Sequence, residues 1–267
     1  MQTYSIIDLR DWFFLAKAYF GYWLKKEDRF SQQSPFVFDL YSGLIQFLKA
    51  KKKGNLELEL FRNSLLKDYT KIEVLDLGAG SKKAPHSVRQ VAEITRFSTS
   101  GIKFCQLYQF FCRLTPAEQV IELGTCVGIS TRYLSKVTKG KLYTLEGSPE
   151  IQKVATRNPK PHHTEFILGP IHETLPTLLS QIPKVDFALI DANHTYEGTI
   201  FSFNSILKKA HPKTIIAIGD IHWTPEMDRA WKEIKTNPSV KLTFDFFECG
   251  IVLFEYPGGK VDLILDI

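Results

Sequence analysis

The rhythm of apolar positions changes near residue 118. Before that point apolar residues sit in long helical stretches. After it they gather in short β-branched runs separated by helical segments. In the first part, segment 4–26 is apolar all round and ends in the charged run Lys25-Lys26-Glu27-Asp28-Arg29. Ser34-Pro35 breaks the chain, and Phe36 to Lys49 carries a second helical pattern, closed by Lys49-Ala50-Lys51-Lys52-Lys53-Gly54. A third helix is expected at about 56–68. An apolar run, Ile72 to Leu77, then leads into Gly78-Ala79-Gly80-Ser81, and residues 86–113 read as one or two further helices. No repeat of solenoid period is present.

In the second part, strands are expected at Val120–Leu123, Lys141–Leu145, Glu165–Leu168, Val185–Ile190, Thr214–Ile218, Lys241–Phe246 and Ile251–Tyr256. Near-continuous apolar strands spaced by helices predict a parallel sheet covered on both faces. Only Phe247-Glu248-Cys249-Gly250 separates the last two runs, too short for a crossover helix, so they should form an antiparallel hairpin. Val261–Leu265 adds a candidate edge strand. The fold class is therefore α/β: a Rossmann-like, doubly wound, mostly parallel sheet with a C-terminal antiparallel hairpin and a helical N-terminal extension. The expected division is 1–100 for an aromatic-rich helical extension or cap and 101–267 for the sheet domain.

Composition narrows the function classes. The chain of 267 residues is 44% hydrophobic and 24% charged, which excludes wholesale disorder and fibrous repeats. A net charge of +5 is a weak pointer to an anionic partner. Cys105, Cys112, Cys126 and Cys249 form no C-x-x-C pair, which argues against a zinc knuckle and suits a reducing cytoplasm. Trp12 to Leu24 is too short, with Lys17 inside it, to span a bilayer. The first eleven residues do not read as a signal peptide.

The candidate chemistry starts at the strand of 120–123, which runs into Glu122-Leu123-Gly124-Thr125-Cys126-Val127-Gly128-Ile129-Ser130 and then a helix. Glycines at a strand-to-helix turn let a ligand approach the backbone, and the helix N-terminus offers free N–H groups. The next strand ends in Glu146, followed by Gly147, where a carboxylate suits a ribose diol. The loop lacks the G-x-G-x-x-G spacing of a dinucleotide site, and Glu122 would repel a pyrophosphate but suit a ligand ammonium. S-adenosylmethionine carries an ammonium, a ribose and no phosphate. Val74-Leu75-Asp76-Leu77-Gly78-Ala79-Gly80-Ser81 imitates such a loop, but no strand ending in an acid follows at the right distance. Two later strand ends, Asp191-Ala192-Asn193-His194 and Gly219-Asp220-Ile221-His222-Trp223, should face the same crevice.

The glycine loop, Glu146 and the terminal hairpin together resemble class I S-adenosylmethionine-dependent methyltransferases. Residues 118–256 look like the catechol O-methyltransferase-like branch, more closely its "methyltransferase domain 24" relatives. Ser34-Pro35-Phe36-Val37-Phe38-Asp39 and the Gly78–Ser81 turn resemble an extension that some bacterial members carry. The resemblance implies cofactor contacts at Glu122, Gly124, Thr125, Gly128, Ser130, Glu146, Gly147, Gly169, Ile171 and Asp191, with His172 an alternative to Ile171 at the adenine. It implies Mg²⁺ on Asp191 and Asp220, but a third usual ligand falls on Gly219, so two carboxylates and water would have to suffice. Where the metal-dependent enzymes place a lysine base, this chain has His194, which can accept a hydroxyl proton near neutral pH. Asp191 and His222 complete the candidate catalytic set, and Trp223 either walls the substrate pocket or simply packs.

The function expected is O-methylation of a small-molecule hydroxyl by in-line transfer. A nucleic-acid methyltransferase and a non-catalytic protein that keeps the fold stay open as alternatives. The expected partners are a small-molecule substrate and a second copy of the chain, docked through the N-terminal helices, with neither nucleic acid nor a membrane span. The aromatic residues of the first 50 positions would build a cap, a pocket wall or that dimer interface.

Overall fold

The computed structural model describes residues 9–75, 86–157 and 159–267. Its larger unit is a sheet of eight strands. Five are parallel: β3 (Gln119–Leu123), β4 (Lys141–Glu146), β5 (Thr164–Leu168), β6 (Phe187–Ile190) and β7 (Ile215–Gly219). Then come β8 (Leu242–Asp245), β9 (Cys249–Leu253) and β10 (Val261–Ile264), which give the spatial order β10-β8-β9-β7-β6-β3-β4-β5. The hairpin expected from the four-residue spacer is present, and β9 inserts between β7 and β8, antiparallel to both. The edge strand β10 pairs parallel with β8. Every residue of β6, β7, β8 and β9 is buried, as continuous apolar runs at a sheet centre require.

Each parallel strand feeds a helix: α6 (Ile129–Ser135), α7 (Pro149–Ala155), α8 (Ile171–Gln181), α9 (Tyr196–Leu207) and α10 (Pro225–Thr236). Side-chain caps start the last two, with Thr195 accepting from the Gly198 N–H and Thr224 from the Met227 N–H. The helices α8, α9 and α10 bury Leu175, Leu178, Phe203, Trp231 and Ile234 against one face of the sheet. The other face receives α2 (Pro35–Ala50) and α5 (Ile102–Arg113) through Val37, Tyr41, Leu44, Leu107 and Phe111. Part of the N-terminal region is thus sheet cover. Strand order reverses between β3 and β6, and that reversal opens a crevice at the carboxyl ends of the strands.

The N-terminal region also holds α1 (Leu9–Lys25), α3 (Leu56–Leu65) and α4 (Val91–Phe97). One local expectation changes. Residues 86–90, read as the start of a helix, form β2 (His86–Gln90), antiparallel to β1 (Lys71–Leu75). The partner strand decides this: Ile72 and Val74 alternate inward against α3 and α4, and β2 satisfies the backbone of β1. The helix begins only at Val91, behind a capping box of Gln90 and Glu93. The imitation glycine loop at Gly78–Ser81 lies outside the described residues. Helix α1 docks by one side only. The Tyr22 hydroxyl donates to the Leu265 carbonyl, and Tyr19 stands edge-on to Phe247. Trp12, Phe13, Phe20, Trp23 and Leu24 face solvent. Among the described residues, no helix is long and apolar enough to cross a membrane.

Candidate functional site

A cavity of about 740 Å³ opens at the carboxyl ends of the parallel strands, between the glycine loop and the ends of β6 and β7. The loop has its shape for a steric reason. Gly124 sits at φ +96°, and a Cβ there would lie 2.2 Å from the Asp191 carbonyl oxygen, so the loop and the end of β6 pass too closely for any side chain. The Gly124 and Thr125 N–H groups both donate to the Leu145 carbonyl, which ties the turn to β4. Gly128, at φ +79°, starts α6.

Glu146 closes the loop from the β4 side. Its Oε2 accepts from the Cys126 N–H and its Oε1 from the Ser148 N–H, both at 2.9 Å. Two backbone donors fix the carboxylate on the cavity wall. Gly124, Thr125, Ser130, Gly147, Ile171, His172 and Asp191 share that wall, whereas Gly128 and Gly169 shape turns behind it.

Glu122 stands apart. It is fully buried beneath the loop, off the cavity wall, and its Oε2 accepts from the hydroxyls of Thr131 (2.5 Å) and Thr144 (2.6 Å). Burial pushes its carboxyl up to about 7, against the opposite pull of the Ser130, Thr131 and Thr144 hydroxyls. From this place it ties β3, β4 and α6 together under the loop.

Across the crevice, Asp191, His194 and Asp220 come together, with one potential ligand atom from each within 4.8 Å of the others. The His194 Nδ1 is 3.7 Å from the Asp220 Oδ2, beyond hydrogen-bond reach, and has no hydrogen-bond partner among the described residues. Asn193, His194 and Asp220 all take positive φ (65°, 42° and 55°), an unfavourable backbone for residues with side chains, so the two loops hold this cluster against local strain. Enclosure at the crevice and the neighbouring Asp191 carboxylate push the Asp220 carboxyl up to about 6. Gly219 gives no donor, and a Cβ there would lie 2.2 Å from the Asp191 Oδ1. The two carboxylates expected for Mg²⁺ therefore meet, but the additional donor beside them is a histidine nitrogen.

His222 is not brought to this cluster. Its Nδ1 is bonded to Asp228 (2.9 Å) and its Nε2 to Asp245 (2.8 Å), its ring stacks on Phe247, and it is not on the cavity wall. Both nitrogens are spent on structure, which leaves none to accept a substrate proton. Trp223 does reach the cavity, its ring edge-on to His194 at 5.4 Å.

Sequence reasoning missed several wall residues. Ser98, Thr99, Ser100 and Gly101 line the cavity, and the Ser100 hydroxyl donates to the Asp191 Oδ2 at 3.2 Å. Phe104 and Tyr108 of α5 add an aromatic side, and Ile94 and Phe97 of α4 extend it. The available signal was the small polar run Ser98–Gly101 ahead of an apolar helix, an ordinary helix-start pattern that says nothing about a ligand.

The sequence of residues 121–221 matches the family model described as "Methyltransferase domain". No curated protein matches the chain. Among solved structures, the O-methyltransferase TomG of Streptomyces achromogenes, crystallised with SAM, is 17% identical with a TM-score of 0.50, covering 59% of this chain and 82% of its own. An O-methyltransferase from Bacillus cereus, in complex with SAH, is 19% identical with a TM-score of 0.50 over 58% and 82%. A Staphylococcus aureus structure, provisionally described as a caffeoyl-CoA O-methyltransferase, is 11% identical with a TM-score of 0.57 over 80% of this chain and 100% of its own. Residues 121–221 thus match a family of methyltransferase domains, and the chain shares the fold of these O-methyltransferase structures.

Proposed function

We propose that the protein transfers a methyl group from S-adenosylmethionine to a hydroxyl of a small molecule. Glu146 carries the reading. A carboxylate held in place by two backbone N–H groups at the end of the second parallel strand, beside a loop that excludes side chains at Gly124, suits a ribose diol. The similar Streptomyces and Bacillus structures were crystallised with SAM and SAH, in keeping with that choice of ligand.

In the transfer, a lone pair of the substrate oxygen attacks the methyl carbon as the carbon–sulfur bond breaks, and neutral S-adenosylhomocysteine leaves. Alignment of oxygen, carbon and sulfur is the main demand, worth about 7 kcal/mol or more of the barrier. The hydroxyl proton leaves toward the cluster of Asp191, His194 and Asp220, which faces the cofactor wall across the cavity. Residues 1–100 act as a cap: Ile94, Phe97 and Ser98–Ser100 wall the acceptor side. The exposed face of α1, with Trp12, Phe20 and Trp23, is where a second copy would dock.

The test is calorimetry with S-adenosylhomocysteine. Binding is expected, and Glu146→Ala should weaken it about tenfold or more, the worth of a charge-assisted hydrogen bond. No binding at millimolar ligand sinks the proposal.

A further inference from the structure

We propose that a second cavity, behind α5 and α6, binds a small phosphorylated molecule that carries hydroxyl groups, of the sugar-phosphate class. Among the described residues it shares no lining residue with the cavity at the strand ends. The inference therefore goes beyond the methyl-transfer reading and does not rest on it.

The cavity measures about 510 Å³ and lies where the end of α2, the start of α3, one side of α5 and the end of α6 meet. That volume falls within the range of small-molecule pockets, roughly 300–1,000 Å³, and exceeds what a bare anion needs. Two cations stand on its wall. The Lys51 Nζ and the Arg113 guanidinium lie 5.6 and 5.4 Å from the centroid of the Phe47 ring. Neither side chain makes a hydrogen bond or an ion pair among the described residues. The ring holds both charges in place and leaves every N–H donor free. Lys136 lines the same cavity but is already paired with Glu57 at 2.7 Å. Lys51 caps α2 and Arg113 ends α5, so part of each charge offsets the negative end of its own helix. The exposed Lys49, Lys52 and Lys53, together with the N-terminus of α3 at Leu56, keep the balance positive.

The lining between the helices supplies the rest of the ligand's chemistry. Gln106 and Gln109 are 2% and 9% exposed and both line the cavity. Each amide N–H₂ donates to a backbone carbonyl, Gln106 to Lys51 and Gln109 to Tyr133. Each amide oxygen is left without a partner among the described residues. A buried acceptor without a donor is unfavourable, and a hydroxyl group of the ligand would satisfy it. Two unpaired cations on one ring suit the near-double charge and three oxygens of a phosphate better than a singly charged carboxylate, and the Arg113 fork can grip two of those oxygens. An anionic group at the cations and hydroxyl donors at the two glutamines together describe a sugar phosphate.

The experiment titrates the full-length protein by calorimetry with ribose 5-phosphate, ribose and inorganic phosphate in turn, and circular dichroism verifies that each variant is folded. One ribose 5-phosphate per chain is expected, bound about tenfold or more tighter than either ribose or inorganic phosphate. Arg113→Gln, a change at an exposed side chain, should weaken that binding about tenfold or more, the worth of a charge-assisted hydrogen bond. Gln109→Met should bring ribose 5-phosphate down toward the affinity of inorganic phosphate. No binding of ribose 5-phosphate at millimolar concentration, inorganic phosphate binding as tightly, or a folded Arg113→Gln protein with unchanged affinity overturns the inference. Displacement of ribose 5-phosphate by S-adenosylhomocysteine also overturns it, because the sugar phosphate would then lie in the cavity at the strand ends. S-adenosylhomocysteine binding on the same samples should be equal for Arg113→Gln and the unaltered protein. Its absence from both counts against the methyltransferase proposal alone.

Discussion

The histidine–carboxylate clusters of His222 and His194 stand at neighbouring strand ends and are built in opposite ways. His222 sits between Asp228 and Asp245, bonded at both nitrogens, while Asp245 also accepts from the Trp231 indole N–H and the Phe247 N–H. Every group there has its partner inside the fold. His194, by contrast, faces Asp220 at 3.7 Å with its Nδ1 unbonded, on strained backbone, at the wall of a cavity. A saturated cluster contributes stability and has nothing left to offer a ligand. An unsaturated one costs stability and keeps its donors for something else. Residue type and position in the sequence make the two look alike. Hydrogen-bond accounting separates them.

The strongest way to break this contrast is Asp245→Ala. It leaves His222 and the Trp231 indole N–H without their acceptor in the core, which should lower the unfolding free energy in urea by about 3–5 kcal/mol. If the protein does not fold, Asp245→Asn keeps an acceptor and should lose less. The pH dependence has a definite sign. Burial opposes charge on His222, but Asp245 and Asp228 outweigh it and hold its pKa above the ordinary histidine value. Its contribution is therefore complete below that ordinary value and fades as pH rises through the raised one. Asp245 is also opposed by burial, yet His222 holds it low, so its contribution is present above the ordinary carboxylate range and is lost as pH falls through the lowered pKa. The stability that Asp245→Ala removes should then be largest between these limits, in mildly acidic to neutral solution. A loss independent of pH would mean the pair is not ionised.

Glu122 sharpens the contrast from a third direction, because it is buried with hydroxyl donors and, among the described residues, no cationic partner. Its carboxyl titrates near 7 in the fold against about 4.5 in the unfolded chain, so the folded state binds the extra proton. Stability should fall as pH rises from about 4.5 to 7 and stay lower above that, by up to about 3 kcal/mol from this one group. Glu122→Gln should flatten that slope and be the more stable protein at pH 8. A Gln variant with the wild-type slope would mean that Glu122 is ionised in the fold.

The sheet was legible because apolar runs of four to six residues, spaced by helices, admit few arrangements, and the four-residue spacer Phe247–Gly250 forced the hairpin. The glycine loop and Glu146 were legible because their roles depend on backbone approach and strand position, both of which the residue order records. His86–Gln90 was not, because its strand state depends on a partner 15 or so positions upstream rather than on its own pattern. Nor could the residue order tell His222 from His194. Each follows an aspartate by a few residues at a strand end, and the deciding partners Asp228, Asp245 and Trp231 come from elsewhere in the fold. The aromatic excess of the first 50 residues also divides only in three dimensions: Tyr22 and Tyr41 anchor to the C-terminal backbone, while Trp12, Phe13, Phe20 and Trp23 face outward.

The smallest expected effect is the most discriminating. In the presence of a chelator, His194→Ala should change the unfolding free energy by less than about 1 kcal/mol. The ring gives up an edge-on contact with Trp223 worth about 0.5–1.5 kcal/mol, and removing an unbonded buried nitrogen offsets part of that loss. The backbone adds little to either side, since alanine at φ +42° is strained much as histidine is. Urea unfolding of the variant beside Asp245→Ala measures both clusters on one scale. A loss for His194→Ala equal to that for Asp245→Ala would make His194 a structural histidine like His222, and the distinction between a saturated and an unsaturated cluster would fail at the residue on which it depends.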